Sequence, residues 1–261
     1  MPDALNVAKT GLNAQQERMS VISNNLANVN TVGFKRDRAN FETLLYQDLR
    51  EVGSQTSQNT QLPTGLAIGT GVRIVSSEKL YSQGSIINTD NSLDMTINGQ
   101  GFFQVMMPNG QIAYTRAGNF TKSSTGQIVS ANGYPLEPAI TIPENASSVS
   151  VSRDGIVSVS IPGQTAPQQV GTIELAAFPN NGGLKPMGEN MMAATGASGA
   201  PIVGVPGANG NGTLMQGALE ASNVNVVEEL VNMIETQRAY EVNSKAINAV
   251  DSMQKFLTQN V

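Results

Sequence analysis

The side chains in this chain that can do chemistry are carboxylates, hydroxyls, amides, lysines and arginines. The 261 residues include no His and no Cys. Without His there is no His-based triad, no HExxH zinc site and no imidazole proton shuttle. Without Cys there is no thiolate nucleophile, disulfide or common structural zinc site. The chemistry left open is acid–base catalysis by two carboxylates that face one cleft.

The carboxylates do not form a recognisable pattern for that chemistry. Asp90 and Asp94 lack the spacing of a calcium loop. Glu228 and Glu229 fall in the first turn of a predicted helix, where negative charge favours the helix dipole. We therefore expect no catalytic, cofactor-binding or metal site.

The glycine and basic motifs are equally weak as ligand sites. Gly99-Gln100-Gly101 precedes a strand-like run, and residues 207–212 lack the Lys-Ser or Lys-Thr of a phosphate-binding loop. The nearest basic cluster is Lys35-Arg36-Asp37-Arg38, in a chain of net charge −5. Nucleic acid and small-molecule substrates are therefore not expected.

Composition favours a surface that meets other proteins. Only 13% of the residues are charged, and 26 are Gly. The N-terminus lacks the basic and apolar regions of a cleaved signal, and no apolar run approaches a membrane span. The sequence alone thus predicts a cytoplasmic protein, or one exported without signal cleavage.

The N-terminal residues predict a helix with a heptad seam. Apolar side chains lie seven apart at Leu5, Leu12, Met19 and Leu26, and Ile22 fills an alternate position. Asp3 is the expected N-cap, and residues 28–33 are expected to end the helix. An ordinary amphipathic helix lying on its own domain remains the alternative.

The C-terminal residues predict a longer helix, from Val226 to about Thr258, without Gly or Pro. Asn225 is its expected cap. Its apolar stripe includes Val231, Ile234, Val242, Ala246 and Met253, three of which lie eleven apart. A narrow stripe on so long a helix calls for a helical partner.

Between the helices the hydrophobic period changes to two and Asn-Gly pairs recur, at positions 98, 109, 132, 181, 209 and 211. We expect strands near 93–97, 102–107, 111–115, 127–130, 149–152, 156–161 and 169–175. Pro108-Asn109-Gly110 predicts a hairpin. The middle is therefore predicted to be all-β, while residues 51–65 resemble a linker and 196–212 a loop.

The predicted fold class is α+β, with a discontinuous, coiled-coil-like helical domain formed by both chain ends. Residues 1–33 and 222–261 form this inner domain. Residues 34–70 form an extended connecting region, and residues 71–221 a mainly β outer domain.

A run rich in Asn ends the first helix, beyond what capping requires. Buried amides cost stability but specify register and partner, which suits an assembly interface. The predicted interface combines these amides with the apolar stripes of both helices: Leu5, Leu12, Met19, Ile22, Asn24, Asn25, Leu26, Asn28, Val231, Ile234, Val242, Ala246 and Met253.

At these residues the chain resembles the flagellar axial family of rod, hook and hook-associated proteins. The resemblance rests on SNNLANVNTVGFKR near the N-terminus and EASNVNVVEELVNMIETQRAYEVNSKAI near the C-terminus. It continues in YSQGSIINTDNSLDMTINGQGFFQV, YTRAGNF and TGQIVSANGYPLEP. The run FETLLYQDLREVGSQTSQNTQLPTGLAIGTGVRIV is most similar to the members that form the distal rod.

The resemblance implies a structural subunit, not an enzyme, that is exported by the flagellar type III apparatus without signal cleavage. It implies helical polymerisation into a hollow drive shaft across the periplasm, which transmits torque from motor to hook. Proximal rod and hook proteins would be its axial neighbours, and the peptidoglycan- and outer-membrane-ring proteins its bushing. A proximal rod or hook protein is the alternative within the family. A β-rich adhesin would leave the helical ends unexplained, and a carbohydrate-active enzyme would need a carboxylate pair.

Overall fold

A computed structural model describes residues 2–50, 52, 55–57, 60–61, 64–164 and 166–259. Within them a helix lies near each end of the chain, and the residues between are mostly β. Helix α1 spans Pro2–Ala27 and helix α2 spans Val226–Gln259. The prediction of helical ends around a β middle is thus confirmed. The described residues contain no helix that is long and apolar enough to cross a membrane.

The strands are short. In chain order they are β1 Asp37–Thr43, β2 Gln47–Arg50, β3 Gln55–Ser57, β4 Thr60–Gln61, β5 Leu66–Ile68, β6 Val72–Lys79, β7 Ile86–Asn88, β8 Met95–Asn98, β9 Phe102–Met106, β10 Ile112–Thr115, β11 Thr121–Lys122, β12 Ile128–Val129, β13 Leu136–Glu137, β14 Ser148–Val151, β15 Ile156–Ser160, β16 Gln168–Thr172, β17 Leu175–Ala177, β18 Lys185–Gly188, β19 Met191–Ala193, β20 Ile202–Gly204, β21 Thr213–Gln216 and β22 Ala218–Glu220. A 3₁₀ turn lies at Asn181–Gly183.

The chain divides into two compact units. The helical unit contains residues 1–27, 37–78 and 225–261, and the β unit contains residues 28–36 and 79–224. In the helical unit α1 and α2 pack on each other, β1 pairs with β6, β2 with β5, and β3 with β4.

The main sheet of the β unit is antiparallel. Its strand order is β18-β19-β10-β9-β17-β20, and β13 also pairs with β9. A separate sheet joins β14, β15 and β16, and two-strand pairs join β8 to β21, β7 to β22 and β11 to β12. The predicted hairpin at Pro108-Asn109-Gly110 is confirmed, since β9 and β10 pair in register around it.

Both faces of the main sheet carry buried side chains. Successive strand residues point to opposite faces, so neighbouring residues of β9 enter different cores. Phe103 lies in the larger core and is fully buried, whereas its neighbour Phe102 lies in the smaller one. The larger core is Met95, Ile97, Phe103, Val105, Ala113, Phe120, Ile128, Leu136, Ile140, Ile142, Val157, Val159, Ile173, Leu175, Met191 and Leu214. Phe102 and Phe103 are therefore both core residues, one in each cluster.

Three local predictions need correction. Helix α1 begins at Pro2, so Asp3 is a helical residue and not the cap. The predicted loop 196–212 contains β20, which pairs with β17 because Ile202 and Val203 supply a β-forming run between prolines. Within 51–65, where composition indicates a linker, strands β3 and β4 pair with each other. Residues 51, 53–54, 58–59 and 62–63 lie outside the described part of the chain.

Candidate assembly surfaces

Helix α2 exposes the apolar stripe that its sequence predicts. The side chain of Asn225 accepts hydrogen bonds from the backbone N–H groups of Val227 (3.0 Å) and Glu228 (3.4 Å), which confirms the cap. Val231, Ile234, Val242 and Met253 are each at least half exposed, and Ala246 is exposed too. Exposed apolar stripes of this length mark surfaces that other protein covers.

The side of α2 away from the stripe is more covered. Its buried residues include Glu229 and Thr236, seven residues apart, and Asn243 lies half-buried one heptad further on. A Cβ added at Gly11 of α1 would lie 3.1 Å from the Nδ2 atom of Asn243. The two helices therefore approach each other near Gly11 and Asn243, on a side of α2 other than its exposed apolar stripe.

Helix α1 is more covered than α2. Ile22 is buried, and the seam residues Leu5, Leu12, Met19 and Leu26 are half-buried. The two halves of the predicted interface therefore differ in exposure. The apolar stripe of α1 is partly covered within the chain, whereas that of α2 is exposed. Their joint role in assembly stays a prediction.

The Asn-rich end of α1 bonds mainly within the chain. Asn25, 1% exposed, donates from Nδ2 to the carbonyl oxygen of Asp37 (2.9 Å) and accepts at Oδ1 from the Asp37 N–H (2.8 Å). Asn28 is half-buried and accepts a hydrogen bond from Thr31 Oγ1 (3.1 Å), while Asn24 is exposed. The Asn25 side chain therefore holds the first residue of β1 against the end of α1.

A second exposed surface is the hairpin arm, which we define as residues 44–69 with strands β2 and β5 as its described base. Gln47 pairs with Ile68, and Arg50 with Leu66. Apolar side chains on it are uncovered: Leu45 is 90% exposed and Val52 74%. Paired strands with exposed apolar side chains are more typical of a surface that contacts another protein than of a flexible linker.

The least expected feature is a buried carboxylate, Glu220, in the β unit. Its Oε1 atom accepts hydrogen bonds from Lys35 Nζ (2.6 Å) and the Gly84 N–H (2.9 Å). Arg116 Nε lies 3.1 Å from Oε2 as an ion-pair contact. The side chains of Lys35, Glu220 and Arg116 are 0%, 1% and 5% exposed.

Backbone carbonyls also accept hydrogen bonds from both cations of this cluster. Lys35 Nζ donates to Ser82 O (2.7 Å), and Arg116 donates to the carbonyl oxygens of Gly101 (2.7 Å) and Gly99 (2.8 Å). Burial lowers the pKa of Lys35 and of Arg116, and the contact with Glu220 opposes that shift in both. Two buried cations share one carboxylate, so the anion is the critical partner.

Gly33 allows the N-terminal residues of the β unit to reach this cluster. Its N–H donates to the backbone oxygen of Glu220 (2.7 Å), and its φ is +68°. An added Cβ would lie 2.6 Å from the carbonyl carbon of Arg116, so only glycine fits. The runs that carry the family resemblance, far apart in sequence, thus converge on Glu220.

Sequence reasoning missed this cluster. The sequence places Lys35 in a basic cluster, but its side chain is fully buried, and Arg38 pairs with Glu78 (2.9 Å). The signal was faint: Lys35, Arg116 and Glu220 each lie inside a run of the family resemblance, yet nothing in their spacing shows that they touch.

Asp94, one of the carboxylates considered as ligands, has structural partners. Asp94 accepts hydrogen bonds from Thr89 Oγ1 (2.8 Å) and Asn91 Nδ2 (2.9 Å), which organise the turn before β8. Among the described residues, no group of three or more His, Cys, Asp or Glu side chains is placed to hold a metal ion.

Comparison with known proteins places the chain among flagellar proteins. Three family profiles match: flagella basal body rod protein over residues 5–35, the flagellar hook protein FlgE/F/G D1 domain over 96–159, and the flagellar basal body rod FlgEFG protein C-terminal region over 215–260. Together they cover both helices and part of the β unit.

Several relatives that match nearly the whole chain are named flagellar basal-body rod protein FlgG. A relative from Buchnera aphidicola subsp. Schizaphis graminum is 57% identical over 99% of this chain and 100% of its own length. One from Caulobacter vibrioides is 48% identical over 98% of both chains, and one from Bacillus subtilis is 35% identical over 94% of this chain and 93% of its own.

Proposed function

Because the chain belongs to the flagellar basal-body rod protein FlgG family, we propose that it polymerises helically, as a distal rod subunit, into a hollow shaft that transmits torque from motor to hook. It is a structural protein of the basal body and not an enzyme. Relatives named FlgG match the whole chain, which supports a distal rod subunit over a proximal rod or hook protein.

We further propose how the chain is arranged in the rod. Residues 1–33 and 222–261 form the inner axial layer with coiled-coil-like packing. Residues 34–70 form an extended connecting region, and residues 71–221 form the mainly β outer domain. The axial neighbours are proximal rod and hook proteins, and the ring proteins of the peptidoglycan and outer membrane form the bushing. Export occurs through the flagellar type III apparatus without signal cleavage.

The observation that carries the proposal is the uncovered apolar stripe of α2. At about 1.5 Å per residue, a helix of 34 residues is about 50 Å long. Helix α1 approaches α2 near Asn243, and the stripe residues stay exposed in the described part of the chain. We propose that the stripe of each copy packs against a different surface of the next copy. Such an interface is heterologous, and it generates a helical filament when the rotation does not close.

The test places a charge in each half of the proposed interface. Leu12→Asp and Val242→Asp should prevent incorporation into rods, because a carboxylate in a packed apolar seam has no partner. Gln237→Asp is the matched control, since Gln237 is exposed on the same helix about a third of a turn from Val231.

The measurement is sedimentation of polymer from purified chain, together with motility and electron microscopy of basal bodies. Normal rods from Leu12→Asp or Val242→Asp, with a control that behaves alike, would show that the seam is wrongly assigned.

A further inference from the structure

We propose that Asn209 is a site of spontaneous deamidation in the folded chain, and that the fold protects the other Asn-Gly pairs. In this reaction the backbone nitrogen of the following Gly attacks Cγ of Asn. A C–N bond forms, the Cγ–Nδ2 bond breaks, and Nδ2 leaves as ammonia. Water then opens the resulting succinimide to Asp or isoaspartate. A free Gly nitrogen and a free Asn amide are therefore the structural requirements.

Two Asn-Gly pairs are protected by their turns. The Gly110 N–H donates to Met107 O and the Gly133 N–H to Ser130 O, both at 2.9 Å. The Asn side chains are occupied as well: Asn109 Nδ2 donates to Gln111 Oε1, and Asn132 Nδ2 to Glu189 Oε2. In these turns Gly is the fourth residue, so its nitrogen closes the turn and is held away from Cγ.

Two more pairs are held by tertiary contacts. The Gly99 N–H donates to Gln83 Oε1 (3.1 Å), and Asn98 lies in β8 paired with Thr213. The Gly212 N–H donates to Gln100 O (2.6 Å), and Asn211 is only 6% exposed. Attack within either pair requires part of the β unit to open first.

The pair at Asn181-Gly182 is restrained by packing. Asn181 is half-buried and begins a 3₁₀ turn, and its carbonyl oxygen accepts a hydrogen bond from the Leu184 N–H. The backbone of Ala197 lies against this turn, since a Cβ at Gly183 would be 2.5 Å from the Ala197 carbonyl carbon. Partial burial of Asn181 and the packing at Gly183, not a hydrogen bond to the Gly182 nitrogen, set this pair apart from Asn209-Gly210.

Asn209-Gly210 meets both requirements. Its φ angles, +54° for Asn209 and +82° for Gly210, and the hydrogen bond from Asn211 N to Ala208 O (2.9 Å) define a type I′ turn. In this turn Asn and Gly are the two central residues, so neither nitrogen closes it. Both residues are exposed, and within the described chain neither the Asn209 amide nor the Gly210 N–H has a hydrogen-bond partner.

The conversion would alter the loop between β20 and β21. Either product adds one negative charge to this exposed turn. Isoaspartate also adds a methylene to the backbone, which the turn geometry cannot absorb while the Gly207 N–H still donates to Gly212 O. The modification thus supplies a chemical mark of the age of the chain at one defined position.

The test is incubation of the intact folded chain at mildly alkaline pH in ¹⁸O-labelled water, with peptide mapping by mass spectrometry. Asn209 should convert at least about fivefold faster than Asn109 and Asn132, the factor that one net hydrogen bond corresponds to. In concentrated urea the six rates should converge, because the fold no longer distinguishes the pairs. Asn209→Asp should remove the fast phase while preserving the shape of the side chain.

Two results would overturn the proposal. One is faster conversion at any other Asn-Gly pair in the folded chain. The other is the same ranking in urea, which would show that local sequence and not the turn sets the rate.

Discussion

Removal of the Glu220 carboxylate is expected to destabilise the β unit severely. In Glu220→Ala, Lys35 and Arg116 stay buried but lose their shared anion. Breaking a buried pair in this way costs about 3–5 kcal/mol, because an uncompensated charge remains in a low-dielectric site. The backbone oxygen of Glu220 still accepts from Gly33, so the loss is that of the side chain.

The magnitude translates into a measurable shift. In a domain of roughly 150 residues, 1 kcal/mol lowers Tm by about 2–4 °C, so Glu220→Ala should lower the Tm of the β unit by about 6–20 °C. Near-UV circular dichroism reports it, because Tyr81, Tyr114 and Tyr134 lie in this unit. Glu144→Ala, at an exposed carboxylate of the same unit, should change Tm by little.

A double-mutant cycle tests the stated cause. If isolated buried charge is the reason, Lys35→Met should recover part of the stability lost in Glu220→Ala, and the two effects should not add. Additive losses, or a Tm in Glu220→Ala within the range of Glu144→Ala, would refute the reasoning.

Two further predictions concern the helical unit. Asn25→Ala removes the amide partner of the partly buried Asp37 N–H and carbonyl groups, at about 0.5–1.5 kcal/mol for each hydrogen bond. Hydrogen exchange at the Asp37 amide should therefore accelerate, whereas Ser23→Ala at an exposed position should not change it. Deleting residues 47–64 of the hairpin arm should permit assembly but give bent or flexible rods, because inter-subunit hydrogen bonds and apolar contacts of the arm are lost; straight rods in electron micrographs would contradict this.

The helices were predictable because their signals are local. Asn225 caps α2 through bonds to residues two and three positions away, and the absence of Gly and Pro sets its length. The Asn109-Gly110 hairpin is equally local, since its turn closes within four residues. Asp3 failed as a cap because Pro2, with its fixed φ, already starts the helix.

The sequence predicted the apolar face of α2 but not which face α1 contacts. The sequence identified the apolar stripe with Val231 and Val242, but the structure shows that α1 contacts the other side, near Asn243. An amphipathic pattern shows which face avoids water, and not which neighbour covers it. Helix packing also depends on close approach, which the small residue Gly11 permits.

The sequence by itself determined the family, the helical ends, the β middle and the lack of the common catalytic side chains, since composition, periodicity and short motifs carry these. Only the tertiary structure decided that residues 28–36 join the β unit and that Lys35, Arg116 and Glu220 form one buried cluster. Those residues are separated by 81 to 185 positions, as 116 − 35 and 220 − 35 show. Contacts over such distances follow from how the strands bring remote segments together, which no local pattern encodes.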